Sequence, residues 1–249
     1  MTGFVGCNPL RRLCGRFRGM SKPGATLRIF VGYDSTEIVA YHAFCQSVIE
    51  RSNRPVSFTP IALTHLDGVF ERPRNSLQST EFSFSRFLTP HLSNFEGWSL
   101  FVDCDFIALD DIAKLFDLAD ERFAAMVCKH DYTPVSDRKF AGNVQTKYEK
   151  KNWSSLVLFN NARCRALTPH YVSTASGLEL HQFKWLSSDD EIGSLPLEWN
   201  WLVGEYPHNP DARMVHYTIG GPYFAQYRDC DYAAQWIAAR DAMNSVKDD

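Results

Sequence analysis

The stretch Trp98-Ser-Leu-Phe-Val-Asp-Cys-Asp-Phe-Ile-Ala-Leu-Asp-Asp-Ile-Ala-Lys-Leu-Phe116 decides the fold. Its apolar run, Leu100 to Val102, stops at two acids, Asp103 and Asp105, set one residue apart. A short apolar run bounded in this way reads as a strand buried on both faces. Side chains alternate along extended backbone, so the two carboxylates point to one side and Cys104 points away into apolar packing. Acids at the C-terminal end of an interior strand occupy the position where open α/β sheets bind ligands. Two hard anionic groups converging there suit Mn²⁺ or Mg²⁺, an ion that also grips a diphosphate.

Outward from that strand, the chain reads as one α/β domain. Leu27-Arg-Ile-Phe-Val-Gly-Tyr-Asp34 is a strand ending in an acid. Ser35 or Thr36 is the expected cap of a helix whose apolar face runs from Ile38 to Ile49. Val56–Leu63 then reads as a second strand, and strand-helix-strand at this spacing favours parallel pairing. A helix is expected over Phe82–Leu92, another after Asp111, and strands at Phe123–Cys128 and at Trp153–Asn160. Helical character over Leu167–Leu186 is interrupted near Gly177, and a helix closes the chain from Tyr232 to Val246. Residues 129–152 lack apolar periodicity and read as a long loop able to close over a ligand. His216 ends a short apolar strand and meets Gly220-Gly221, whose backbone N–H groups suit a phosphate. Imidazole beside two carboxylates makes a reasonable third ligand for Mn²⁺.

Composition narrows the function classes. The chain has 249 residues, 45% of them hydrophobic, enough for one substantial core. No apolar run reaches the roughly 20 residues of a membrane span. Residues 1–24 hold five of the 26 lysines and arginines and none of the 29 acids. They read as a disordered basic extension rather than a targeting arm, and they contain no apolar core of a secretory signal. The remainder, residues 25–249, is acidic on balance and a poor nucleic-acid binder. Seven dispersed cysteines without a Cys-x-x-Cys pair point to a reducing, cytoplasmic setting rather than a zinc or disulfide framework.

Four segments, in order, resemble the retaining glycosyltransferases of family 8. They are Phe30-Val-Gly-Tyr-Asp34; Arg86-Phe-Leu followed by Asp103-Cys-Asp105; Trp153-Ser-Ser-Leu-Val-Leu-Phe-Asn160; and Leu195-Pro-Leu-Glu-Trp-Asn200 followed by His216-Tyr-Thr-x-Gly-Gly-Pro222. The resemblance implies a GT-A fold: a single α/β domain with a mixed, mostly parallel central sheet flanked by helices. It implies that Asp103, Asp105 and His216 hold Mn²⁺ or Mg²⁺ on the diphosphate of a nucleotide-sugar, a UDP-hexose by analogy. Tyr33 and Asp34 would lie against the nucleoside, Arg86 near the diphosphate, and Ser154 and Ser155 along the sugar pocket. Cys104, Gly220 and Gly221 would complete the donor site, and Asp189 or Asp190 would act on the reacting sugar. The acceptor, a carbohydrate or a lipid-linked sugar, is not specified by these segments.

The chain departs from that family at Trp153 and Ser155, and at Gly221-Pro222-Tyr223, where the family places Lys-Pro-Trp. Two other readings follow: a nucleotide-sugar or glycan-binding protein without turnover, and a Mg²⁺-dependent phosphatase with Asp103 as nucleophile.

Overall fold

The computed structural model describes residues 25–74, 78–131 and 149–246. The expected basic extension and most of the 129–152 loop lie outside the described residues. Nine strands and six α-helices are described: β1 (Leu27–Gly32), α1 (Ile38–Arg51), β2 (Val56–Ile61), α2 (Thr89–Leu92), β3 (Trp98–Val102), β4 (Phe106–Ala108), α3 (Ala113–Phe116), β5 (Ala125–Cys128), β6 (Leu156–Asn160), α4 (Pro169–Thr174), α5 (Gly177–His181), β7 (Ile192–Leu195), β8 (Trp201–Leu202), β9 (Met214–His216) and α6 (Ala233–Met243).

Six strands form the central sheet in the order β2-β1-β3-β6-β5-β7. Pairs β1–β2, β1–β3 and β5–β7 are parallel, and β6 runs antiparallel to both its neighbours. The expected mixed, mostly parallel sheet is present, with β6 as the one reversed strand. In β3, Leu100, Phe101 and Val102 are wholly buried, as a strand covered on both faces requires. Complete burial of each such side chain contributes about 1.5–3 kcal/mol.

A second sheet, β4-β9-β8, contains the short strand expected to end at His216 as β9 and adds β4 and β8, which are too short for their periodicity to read from sequence. It matters more to the site than its size suggests. β4 begins directly after Asp105, and Phe106 pairs with His216 across the antiparallel β4–β9 ladder. Tyr217 N–H donates to the Asp105 carbonyl at 2.9 Å, extending the same ladder. Strand β9 is therefore zipped to the residues that follow the second acid. Helix α1 packs on β4 and α6, and the Ser47 hydroxyl accepts from Ala108 N–H at 2.9 Å.

Two helical expectations need correction. α1 starts at Ile38, with Glu37 at the cap position and no side-chain cap from Ser35 or Thr36. Asp34 competes for that turn, accepting from Thr36 N–H at 2.9 Å and from its hydroxyl at 2.6 Å. Ser35 instead donates to Glu81 Oε1 at 2.7 Å. The segment Phe82–Leu92 is not one helix either: a 3₁₀ turn over Ser85–Leu88 precedes the single α-turn of α2. Pro90 in that first turn needs no amide hydrogen, so it begins α2 rather than extending an earlier helix. By contrast α4 and α5, separated just before Gly177, match the interrupted helical character of that region.

Candidate metal and nucleotide-sugar site

The β3–β6 and β4–β9 ladders meet where the two acids leave β3. Asp103 N–H donates to Ser155 O at 2.9 Å, so the reversed strand β6 carries Ser154 and Ser155 to the first acid. The β4–β9 ladder carries His216 to the second. His216 Nε2 lies 3.3 Å from Asp105 Oδ1, and its ring stacks on Phe106 with centroids 4.2 Å apart. One ligand atom from each of Asp103, Asp105 and His216 lies within 4.8 Å of the others. The expected triad is brought together.

The carboxylates are held in an expensive state. Asp103 is 8% exposed, and its Oδ1 lies 2.7 Å from Arg86 Nη1 without proper donor geometry. Asp105 Oδ1 is likewise buried without a hydrogen-bond partner. Burial pushes the Asp103 carboxyl up, Arg86 opposes this, and Asp105 pushes it further. Burial lowers the proton affinity of His216, but Asp105 and Asp103 outweigh it and raise the pKa. Two oxygens and an imidazole, two of them orphaned and mutually repelling, fit a hard divalent cation.

Asn200 sets the imidazole, a role the sequence did not reveal although the residue closes a quoted motif. Its amide Nδ2 donates to Ser155 Oγ at 2.9 Å and to the Asn152 carbonyl at 3.4 Å, which fixes the amide's orientation. Its Oδ1 then faces His216 Nδ1 at 3.1 Å and accepts that proton, which leaves Nε2 on the side of the two acids, where it could serve a cation. Asn200→Ala should weaken Mn²⁺ binding by about 10- to 100-fold, and Asn200→Asp, which keeps the acceptor, should restore most of it. Calorimetric Mn²⁺ titration of the two variants checks this.

The triad opens onto a cleft of about 940 Å³. Of the residues assigned to the donor, Arg86, Ser154, Ser155 and Gly220 line it together with the triad. Arg86 is buried, donating to the carbonyls of Ser154 and Ser83 at 2.9 and 3.1 Å. Ser154 Oγ is 2.7 Å from His181 Nδ1. Gly220 has φ +121°, and a Cβ there would strike the Tyr227 ring at 2.4 Å.

Other assigned residues are absent from the cleft lining. Asp34 is 2% exposed, with Oδ1 on Thr36 and Oδ2 accepting from Glu81 N–H at 3.0 Å. Tyr33 packs edge-on against Tyr41, Cys104 lies in the core, and Gly221 lies beneath the Tyr223 ring. Asp189 pairs with Lys150 Nζ at 2.5 Å on the exposed side, and Asp190 accepts from Ser188.

Glu37 and Glu205, which no sequence pattern singled out, do line the cleft. Tyr223 Oη donates to Glu37 Oε2 at 2.5 Å. Burial first, then Asp105, raises the Glu37 pKa, against the pull of that hydrogen bond.

His130 stands beyond this lining. It is 5% exposed, with Nδ1 2.9 Å from Tyr206 Oη, and burial lowers its pKa from 6.5 to about 3. The folded-state value lies below the unfolded one, so stability from this group is present above about pH 6.5 and lost as pH falls towards about 3. His130→Gln should therefore flatten the fall of Tm on acidification relative to the wild type. Paired melting curves between about pH 7 and about pH 4 check it.

No protein-family profile matches the chain. Among solved structures, the bifunctional glycosyltransferase WbbM in its apo form is similar with a TM-score of 0.63 and 13% identity, covering 90% of this chain and 51% of WbbM. The glycosyltransferase GlyE of Streptococcus pneumoniae TIGR4, also in its apo form, gives 0.56 and 14%, covering 87% and 60%. The chain thus spans about half of WbbM and three fifths of GlyE. The galactosyltransferase LgtC, solved with donor and acceptor sugar analogues, gives 0.54 and 12%, covering 89% and 98%. These similarities show the GT-A glycosyltransferase fold. In sequence the chain is 46% identical over 240 residues to Protein CDI of Arabidopsis thaliana, across 93% of this chain and 91% of that protein. An identity of that extent over nearly the whole of both chains places the protein in the family of Arabidopsis thaliana Protein CDI.

Proposed function

We propose that this protein is a metal-dependent glycosyltransferase of the family 8 type, taking a UDP-linked hexose and transferring it with retention of configuration. The observation that carries the reading is the Asp103, Asp105 and His216 cluster at the floor of a large cleft, on a fold shared with glycosyltransferases. A divalent cation held there, Mn²⁺ or Mg²⁺, would offset negative charge developing on a departing diphosphate. The chain's own residues do the rest. Arg86 fixes Asp103, Asn200 fixes His216, and Ser154 and Ser155 border the donor's sugar. Asp189 and Asp190, paired in this structure with Lys150 and Ser188, would act on the reacting sugar. The acceptor is a carbohydrate or lipid-linked sugar, and the proposed compartment is the cytoplasm.

The phosphatase reading loses ground because Asp103, its nucleophile, is buried against Arg86. A panel of nucleotide-sugars tests the proposal by thermal shift with and without Mn²⁺. A donor at about 100 times its Kd should stabilise the fold by about 2.7 kcal/mol, in Mn²⁺ only. Slow Mn²⁺-dependent hydrolysis of that donor separates an enzyme from a binding protein, and a panel without any shift refutes both.

A further inference from the structure

Glu37 enters the cleft lining from an element that carries none of the triad. It sits at the cap position of α1, its N–H donating to the Asp34 carbonyl at 3.0 Å and its own carbonyl accepting from Ala40 N–H at 2.9 Å. Helix α1 packs on β4, the strand that begins directly after Asp105. The Glu37 carboxylate is held by the segment that follows His216, because Tyr223 Oη donates to its Oε2. The stretches that carry Asp105 and His216 thus also fix Glu37. Its other oxygen, Oε1, accepts no hydrogen bond from the described residues, yet it is open to the cleft. Asp103 Oδ1, Asp105 Oδ1 and Glu205 Oε2, by contrast, are sealed.

The electrostatics agree with that placement. The Glu37 carboxyl is pushed up to about 7, first by burial and then by Asp105, with Asp34 and Asp103 adding to the rise and the Tyr223 bond opposing it. A charge that Asp105 repels is one that a cation bound by Asp105 attracts. The cations of the lining are Arg86, committed to Asp103 and to two carbonyls, and Lys151. Glu37 does not belong to the group whose ligand atoms come within 4.8 Å of one another, so it is not a fourth direct ligand. A hard divalent ion with three protein ligands keeps water in the rest of its shell, and that water needs acceptors. We infer that Glu37 is an outer carboxylate of the cation site, accepting through Oε1 from a water that the ion carries, and that Tyr223 is the residue that positions it. This rests on the metal-dependent reading of the triad and on no particular placement of a nucleotide or sugar.

The test titrates Mn²⁺ alone, without nucleotide, into the full chain by calorimetry and follows Tm in EDTA. Glu37→Gln keeps the shape and an oxygen for Tyr223 but removes the charge. It should weaken Mn²⁺ about tenfold and leave Tm in EDTA unchanged or raised, since a buried carboxylate beside Asp105 is gone. Tyr223→Phe keeps the ring and frees the carboxylate, so it should cause a smaller loss of Mn²⁺ affinity. Added to Glu37→Gln it should cost nothing further, because Tyr223 acts through Glu37. Unchanged Mn²⁺ affinity in Glu37→Gln would overturn the inference. So would a loss accompanied by a lower Tm in EDTA, which marks a structural residue, or a loss as large as that of Asp105→Asn, which marks a direct ligand. A further loss from Tyr223→Phe in the Glu37→Gln background would remove the positioning role. If the wild type binds no Mn²⁺, the metal-dependent reading fails and this inference with it. If it binds Mn²⁺ but not UDP, the nucleotide-sugar reading alone fails and the role of Glu37 stands on the Mn²⁺ titrations.

Discussion

Asp105→Asn should weaken Mn²⁺-dependent UDP binding by at least about a hundredfold, a loss near 2.7 kcal/mol, while leaving Tm unchanged or slightly raised. The two halves of that expectation have one cause. Asp105 Oδ1 is buried without a hydrogen-bond partner, and its charge raises the pKa of both Asp103 and Glu37. Removing the charge relieves that repulsion in the free protein, so folding does not suffer. The amide keeps an oxygen facing His216 Nε2, so the β4–β9 corner keeps its packing. What is lost is one of the two anionic ligands of the proposed cation site. His216→Ala should have a smaller effect on UDP binding, because water can fill the vacated position. A large drop in Tm for Asp105→Asn would mean that the residue is structural rather than poised for an ion.

Arg86→Met should do the opposite: it attacks the fold first. The Arg86 and Asp103 side chains are only 7% and 12% exposed, and Arg86 also supports the Ser154 and Ser83 carbonyls. Methionine matches the aliphatic stem between Phe82 and Phe101, over which the guanidinium lies at 5.3 and 5.2 Å. It leaves Asp103 buried with no counter-charge. Breaking a buried pair from one side costs about 3–5 kcal/mol. For a chain of this size that corresponds to a fall in Tm of roughly 10 °C. If Asp103 is a metal ligand, saturating Mn²⁺ should recover part of the deficit, since the cation supplies the missing positive charge. Melting curves in Mn²⁺ and in EDTA separate this from a purely structural salt bridge, for which the deficit is the same in both.

The contrast between these variants shows what the linear sequence carries and what it hides. Asp103, Asp105 and His216 were legible because each ends an apolar run, and strand ends in an α/β sheet are where ligands gather. Arg86 was legible as a cation lodged among aromatics before an acidic strand. Asn200, Glu37 and Glu205 were not, because their roles depend on pairings between distant segments. Asn200 reaches His216 only through the β8–β9 register, and Glu205 faces the cleft only because the Gly204 turn follows that register. No local periodicity encodes a three-residue strand paired across more than 100 residues, as β4 is with β9. Asp34 lies outside the cleft lining for a related reason. An acid at the end of β1 looks like a ligand, yet Thr36 before α1 holds one of its oxygens and Glu81 N–H, from a segment 47 residues on, holds the other. The carboxylate one turn further on, Glu37, takes the cleft position instead.

The most direct measurement is the affinity of the wild-type chain for UDP by isothermal titration calorimetry, once in Mn²⁺ and once in EDTA. Asp103, the half-buried Asp105 and the imidazole oriented by Asn200 would together hold a cation through which a diphosphate binds. UDP should therefore bind in Mn²⁺ and lose at least about a hundredfold in EDTA, matched by Asp105→Asn in Mn²⁺. Equal affinity for UDP in Mn²⁺ and in EDTA would contradict a metal-mediated site.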